Sequence, residues 1–178
     1  LMRVLVTGAT GFIGSALVSS LLRQKDVIVR AAVRNLEDVT FDARVELVLI
    51  PDIHGQTDWT MALDGVDTIV HLAGIAHSNA RRVELFEAFK KCNVEGTEQL
   101  INAAVNNKVK RFIYMSSVKA ITADDDYGIS KKVAEQIILQ QKNIEVVILR
   151  PPLVYGPHVR ANFLWLMDVC RRFRFLPL

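Results

Sequence analysis

Tyr127 and Lys131 stand four residues apart in the stretch Asp124-Asp125-Asp126-Tyr127-Gly128-Ile129-Ser130-Lys131, a spacing that sets them side by side on one face of a helix. A phenol beside an ammonium is a proton-transfer pair. Free tyrosine titrates near pH 10, and bringing that down by about three units takes roughly 4 kcal/mol of preferential stabilisation of the phenolate. The three aspartates work against it, because negative charge beside a phenol opposes its ionisation. Asp126 is expected to cap the helix carrying Tyr127 and Lys131, with its carboxylate turned to backbone amides. Asp124 and Asp125 read as solvated loop charges. Consecutive side chains diverge, so the three make a poor metal cage. Taken alone, the stretch reads more simply as a surface tyrosine at a helix start. Two other segments turn the reading towards catalysis.

The first is Val6-Thr7-Gly8-Ala9-Thr10-Gly11-Phe12-Ile13-Gly14, which follows an apolar run and opens a helical pattern. Glycines at a strand-to-helix turn let the backbone approach a pyrophosphate, and the free amides of the helix start point at its charge. A dinucleotide is expected over Gly8, Thr10, Gly11, Phe12, Ile13 and Gly14. The second is Ser116-Ser117 at the end of a later apolar run, the edge at which open α/β sheets bind ligands. No histidine or acid is placed to activate Ser117, so the pattern is not that of a nucleophilic triad.

The elements that must position these groups read as six nearly continuous apolar runs at 3–7, 27–33, 45–50, 67–72, 111–115 and 145–149. Unbroken apolar strands belong to sheets covered on both faces. Helical patterns at 12–23, 59–63, 83–106 and 131–141 lie between them. The repeated order predicts an α/β fold, a Rossmann-type doubly wound parallel sheet with helices on both faces. There are no internal repeats, low-complexity tracts or linkers.

With these motifs in order, the chain resembles the short-chain dehydrogenase/reductase superfamily, in particular its extended branch of nucleotide-sugar epimerases and dehydratases. The resemblance rests on VTGATGFIGSALV, DTIVHLAG, NVEGT, FIYMSS, YGISK and RPPLVYGP and covers nearly the whole chain. It implies an NAD(P)-dependent enzyme with a catalytic Ser117, Tyr127 and Lys131. Ser117 would donate to the substrate oxygen that Tyr127 deprotonates. Lys131 would also hold the nicotinamide ribose and, with the cationic nicotinamide ring, favour the phenolate. Asp52 and Ile53 would lie at the adenine, Leu72, Ala73 and Gly74 near the ribose and phosphates, and Pro151 along the same cofactor. Asn93 reads equally as support for the active-site hydrogen bonds or as a satisfied polar group inside a helix. Asn162 reads equally as a contact to the substrate diphosphate or as a helix cap.

The reaction implied is hydride transfer at a secondary alcohol of a nucleotide-diphosphate sugar, most simply 4-epimerisation. The alternatives are reduction of a 4-keto sugar and a non-catalytic dinucleotide sensor, the latter disfavoured by the intact Tyr-x-x-x-Lys pair. A 4,6-dehydratase fits less well, because such relatives place an Asp-Glu pair where Val118 and Lys119 stand. Similar enzymes carry a longer loop than the nine residues between Ser117 and Tyr127, so residues are expected to be missing there. Relatives often form a homodimer through the helix of Tyr127 and the long helix before it.

Cofactor choice is read at Val29-Arg30-Ala31-Ala32-Val33-Arg34-Asn35, where no acid ends the strand to hold a ribose 2′-hydroxyl. Arg34 could pair with a 2′-phosphate or stack on adenine, so NADP is expected to bind at least as well as NAD. Residues 1–157 are read as the dinucleotide-binding domain with the catalytic groups, and 158–178 as the start of a substrate-binding region otherwise largely absent from this chain.

Composition sets the outer limits. With 178 residues, 51% of them apolar, and a formal charge of +3, the chain suits one domain with a sizeable core. The cluster Arg171, Arg172 and Arg174 reads as a helix end, not a nucleic-acid surface. Cys92 and Cys170 are too few for a disulfide framework, which fits a reducing, cytoplasmic setting. The four histidines have no ligand spacing, so no metal is expected. Glycines break the apolar stretch at 4–22, so it does not read as a signal peptide. No run reaches the roughly 20 apolar residues that span a membrane. Met2 reads as the natural start and Leu1 as a remnant.

Overall fold

The computed structural model describes residues 1–37, 39–76, 82–156 and 171. Six strands form one sheet: β1 (Met2–Thr7), β2 (Val27–Val33), β3 (Glu46–Leu49), β4 (Thr68–His71), β5 (Arg111–Met115) and β6 (Glu145–Leu149). All neighbours are parallel and the order is β3-β2-β1-β4-β5-β6. The order reverses at β1 and β4, which opens a crevice at the carboxyl ends of these strands. The expected doubly wound sheet is what the chain forms.

Alternation along the strands feeds two cores. Leu5, Ile69, Phe112 and Tyr114 turn to the face covered by α2 (Thr60–Leu63), α4 (Gly96–Asn106) and α6 (Asp126–Leu139), where they meet Trp59, Leu63, Leu100, Ile101 and Ile138. Val4, Val6, Val29, Ala31, Val33 and Val70 turn to the other face and pack with Val18 of α1 (Phe12–Leu21). Burial on both faces explains why the strands read as unbroken apolar runs. Val45 and Ile50 are buried although they flank β3 instead of pairing within it. Among the described residues, no helix is long and apolar enough to cross a membrane.

The long helix expected over 83–106 is continuous but not uniform. It begins as α3 (Arg82–Ala88), widens into a π-helical stretch at Phe89–Glu95 and continues as α4. Asn93 lies buried in the widened turn.

One reading of the Ser117–Tyr127 segment changes. The nine residues between them form a one-turn helix α5 (Lys119–Thr122) and a left-handed Ala123 at φ 49°. The helix cap is Asp125, not Asp126. Its Oδ1 accepts from the Gly128 amide at 2.6 Å, three residues ahead, where a capping side chain must reach. Asp126 is the first helical residue.

Beneath the crevice, Thr7 of β1 faces His71 of β4 in register. Thr7 Oγ1 accepts from the Ala73 amide at 3.2 Å and shares a hydrogen bond with His71 Nδ1 at 2.7 Å. His71 Nε2 shares another with Thr97 Oγ1 of α4 at 3.0 Å. This chain fixes the strand ends to the helix behind Lys131. Its ring is fully enclosed, and burial with the nearby Lys131 charge pushes its pKa down to about 3.

Candidate functional site

The crevice is a trough with two halves. One, about 310 Å³, is bounded by Gly8, Thr10, Gly11, Arg34, Asp52, Ile53, Leu72, Ala73, Gly74 and Cys92. The other, about 320 Å³, is bounded by Ile13, Leu72, Gly74, Ser117, Lys119, Tyr127, Lys131 and Pro151. Leu72 and Gly74 border both halves, so the two adjoin, with Arg34 in one and Tyr127 in the other. Nearly every residue expected to hold a dinucleotide or to react lies in one half or the other.

The glycine turn is built for close approach. Gly8 has φ 67°, and a Cβ there would lie 2.7 Å from the Ala73 amide nitrogen. A side chain is therefore excluded at the bottom of the trough. The α1 helix starts at Gly11 with no side-chain cap and no acid in its first turn, so its leading amides remain available to an anion. Gly14 is buried on α1 behind the turn. Phe12 departs from the expected lining. Its ring comes within 3.8 Å of where a Cβ on Gly156 would stand and borders a separate cleft with Val154 and Tyr155. What it can offer the trough is its backbone amide.

At the Arg34 end, Asp52 accepts from the Ile53 amide at 2.9 Å and from Lys91 Nζ at 2.8 Å. The Lys91 contact holds its carboxyl below the usual range. Cys92 lines the same end, its thiol pushed up by burial. Arg34 borders this half, as its position after β2 implied.

Asn93 is a satisfied polar group inside the widened helix. Its Oδ1 accepts from the Ile75 amide at 2.8 Å, and its Nδ2 donates to the Ile75 carbonyl at 2.9 Å and to Ser130 Oγ at 3.1 Å. It is satisfied, and it pins the loop after β4 to α6 from behind the trough. Asn162 and the region 158–178 fall outside the described residues, apart from Arg171.

At the other end, Ser117 and Tyr127 line the same half of the trough. Burial raises the Tyr127 pKa above its ordinary value; Ser117 and the Lys119 charge pull against this, and Asp125 adds to it. Lys131 is buried, donates to the Met115 carbonyl at 2.9 Å and lies 4.8 Å from the Tyr114 ring centroid against 6.0 Å from that of Tyr127. Burial pushes its pKa down to about 8. Lys131 is thus a poised cation under the trough, one step from the phenol.

Two groups were not singled out from the sequence. Glu135 accepts from Ser116 Oγ at 2.5 Å and from Arg150 at 2.8 and 2.6 Å. Burial works against its charge, but the Arg150 and Ser116 bonds outweigh that and keep the carboxyl low. This knot ties the ends of β5 and β6 to α6, and so fixes Ser117 against Tyr127. Its signal was the spacing Tyr127, Lys131, Glu135, one helical face at four-residue steps. The other group is Lys119, two residues after Ser117.

A sequence model of the NAD dependent epimerase/dehydratase family matches residues 4–166. A UDP-glucose 4-epimerase of Vibrio cholerae is 36% identical over 184 residues, covering 92% of this chain and 55% of the relative. A UDP-2-acetamido-2,6-beta-L-arabino-hexul-4-ose reductase of Pseudomonas aeruginosa is 32% identical over 166 residues, covering 91% of this chain and 38% of the relative. Among solved structures, the UDP-glucuronic acid 4-epimerase of Bacillus cereus in complex with NAD superposes with a TM-score of 0.79 at 26% identity, over 96% of this chain and 64% of the other. The chain spans about half the length of the curated relatives it matches.

Proposed function

The chain belongs to the NAD-dependent epimerase/dehydratase family, and from that premise we propose that the whole protein transfers a hydride at a secondary alcohol carbon of a nucleotide-diphosphate sugar, with 4-epimerisation as the leading reaction. The observation that carries this is the pair of adjoining halves of the trough. An anion-accepting helix start lies at one, and Ser117, Tyr127 and Lys131 line the other.

A nicotinamide dinucleotide fits these residues, since the Gly8 approach and the uncapped start of α1 leave room and donors for a pyrophosphate. When bound, it supplies the hydride acceptor and donor. The protein's own groups do the rest. Tyr127 carries the proton to and from the reacting oxygen, Ser117 donates a hydrogen bond to that oxygen, and Lys131 sets positive charge beneath both. The Glu135 knot holds the two hydroxyls at one distance through the cycle.

The second reading, reduction of a 4-keto sugar, is supported by Tyr127 itself. Its raised pKa makes it a phenol at neutral pH, ready to give a proton to a carbonyl oxygen. Arg34 at the adenosine end is compatible with a 2′-phosphate and hence with NADP. A non-catalytic sensor would have no use for the Tyr127–Lys131 pair in this cavity. Homodimerisation would use the exposed Val83, Phe86 and Ile129 on α3 and α6, and sedentation of the whole protein as a monomer would exclude it.

The deciding experiment offers UDP- and dTDP-sugars for 4-epimerisation, and their 4-keto forms for reduction, to the parent and to Tyr127→Phe. Turnover of one class by the parent, with loss of at least about a hundredfold in the variant, supports the reading. Equal turnover by both proteins removes Tyr127 from the mechanism.

A further inference from the structure

The family resemblance directs attention to Lys131, yet a second lysine lines the reacting half of the trough. Lys119 enters it from α5, two residues after Ser117. It is held firmly for a residue on a one-turn helix. Its amide meets Ser117 Oγ at 3.3 Å, and its ammonium lies 2.5 Å from Asp125 Oδ2. Its carbonyl packs on the first turn of α6 so closely that a Cβ on Gly128 would lie 2.5 Å away. Asp125 uses its other oxygen to cap α6. One carboxylate therefore fixes both the start of the Tyr127 helix and the Lys119 side chain.

We propose that Lys119, together with Lys131, supplies the positive charge that steadies the Tyr127 phenolate, and that Asp125 anchors Lys119 while opposing it. Lys119 is a positioning residue in this sense, acting on the reaction through Tyr127. The inference rests on Tyr127 being the proton carrier.

Among the described residues, few groups face Tyr127. From α6 and its cap come Lys131 and Asp125; from α5 comes Lys119; from β5 come Ser117 just past its end and the buried Tyr114; from the π-helical stretch comes the Phe89 ring at 5.9 Å. Of the two cations, Lys131 points its ammonium at the Met115 carbonyl and is pushed towards neutrality by burial. Lys119 is half exposed, and its pair with Asp125 raises its pKa. As pH rises past about 8, Lys131 gives up its proton and Lys119 keeps its own. The charge on Lys119 is the one that persists.

The Asp-rich stretch before Tyr127 then has a specific part to play. A carboxylate next to a phenol would oppose its ionisation, but this one brings a lysine with it. The two charges offset each other at Tyr127, and the remainder is set by which lies nearer.

The test titrates tyrosinate absorbance in the whole protein with NAD present and substrate absent, using Tyr127→Phe as the blank for the other tyrosines. Lys119→Met is expected to raise the Tyr127 midpoint by about one pKa unit, or tenfold less phenolate at a given pH. Lys119→Arg should restore the parent value. Asp125→Asn, which can still cap α6, should lower it. The limb of the kcat pH profile that reports Tyr127 should move in the same directions, with the Kd for NAD unchanged. A merely structural role would move both neutral variants alike. An unmoved midpoint in Lys119→Met, or a shift of the same sign in Lys119→Met and Asp125→Asn, overturns the proposal. Parent-like turnover in Tyr127→Phe would instead remove the proton-carrier reading, and the titration would still judge Lys119.

Discussion

Replacing His71 by Asn should make this fold indifferent to mild acid. The imidazole is enclosed between Thr7 and Thr97, with Nδ1 2.7 Å from Thr7 Oγ1 and Nε2 3.0 Å from Thr97 Oγ1. A second ring proton would put a positive charge in an enclosed site with the Lys131 charge nearby. The folded pKa of about 3 against 6.5 for the free side chain expresses that cost. The sign follows from proton uptake. As pH falls below 6.5 the unfolded chain binds a proton at this position and the folded one does not, so stability present above 6.5 is lost on the way down to about 3. At 1.36 kcal/mol per pH unit, the loss by about pH 5 is roughly 2 kcal/mol. For a chain of this length that is a fall of about 4–8 °C in Tm. Carboxylates with lowered values, such as Glu46 and Asp67, change stability in the same direction but mainly below this window. Thermal denaturation of the parent and His71→Asn between about pH 7 and 5 isolates the imidazole. Asn keeps an acceptor for Thr7, so the variant should start lower and stay flat. A variant that loses as much Tm as the parent over that interval would refute the argument.

Further outcomes can be measured on the same protein. Gly8→Val should weaken NAD binding by calorimetry more than tenfold, because the added side chain meets Ala73 and forces a left-handed backbone on a β-branched residue; unchanged affinity would remove the turn from the cofactor site. Arg34→Ala should weaken NADP selectively, by about tenfold, if the guanidinium meets a 2′-phosphate; equal losses for NAD and NADP would point to stacking alone. Glu135→Gln should lower kcat more than it raises KM, since it loosens Ser117 against Tyr127 without touching the bound molecules. Unaltered kcat with a reduced Tm would make the knot purely structural.

Much of this was legible in the sequence because burial on two faces leaves a simple mark. β2, β5 and β6 begin and end where their apolar runs do. At β3 the apolar run outlasts the pairing, since Val45 and Ile50 are buried by neighbours outside the ladder. The start of α6 was hidden for the opposite reason. Its first turn, Asp126 to Ile129, carries no apolar period and is set by the Asp125 cap. Three adjacent aspartates offer three candidate caps, and only the backbone conformation, β-like at Asp125, chooses among them. The reacting pair was readable as a spacing, but the partners of Lys131 were not. Its contact to Met115 and the Glu135–Arg150 knot cross between strand ends and a helix, and no local pattern records such contacts.

The π-helical stretch at Phe89–Glu95 can be viewed as an insertion preserved in a rod. A π turn holds one residue more than an α turn, so the segments on either side keep their own faces while Asn93 is turned inward. Removing a single codon from this stretch would let the rod anneal into uninterrupted α-helix at little cost in helicity. The segments before and after the cut would keep their faces, because the widened turn is what absorbs the extra residue. Genetic drift can therefore erase the Asn93 clasp on Ile75 and Ser130 in one step without unfolding the helix. A chain that retains the extra residue is paying an ordinary conformational cost for a contact at the far end of a trough, and the length of that helix, counted in residues, is itself a record of the chemistry it serves.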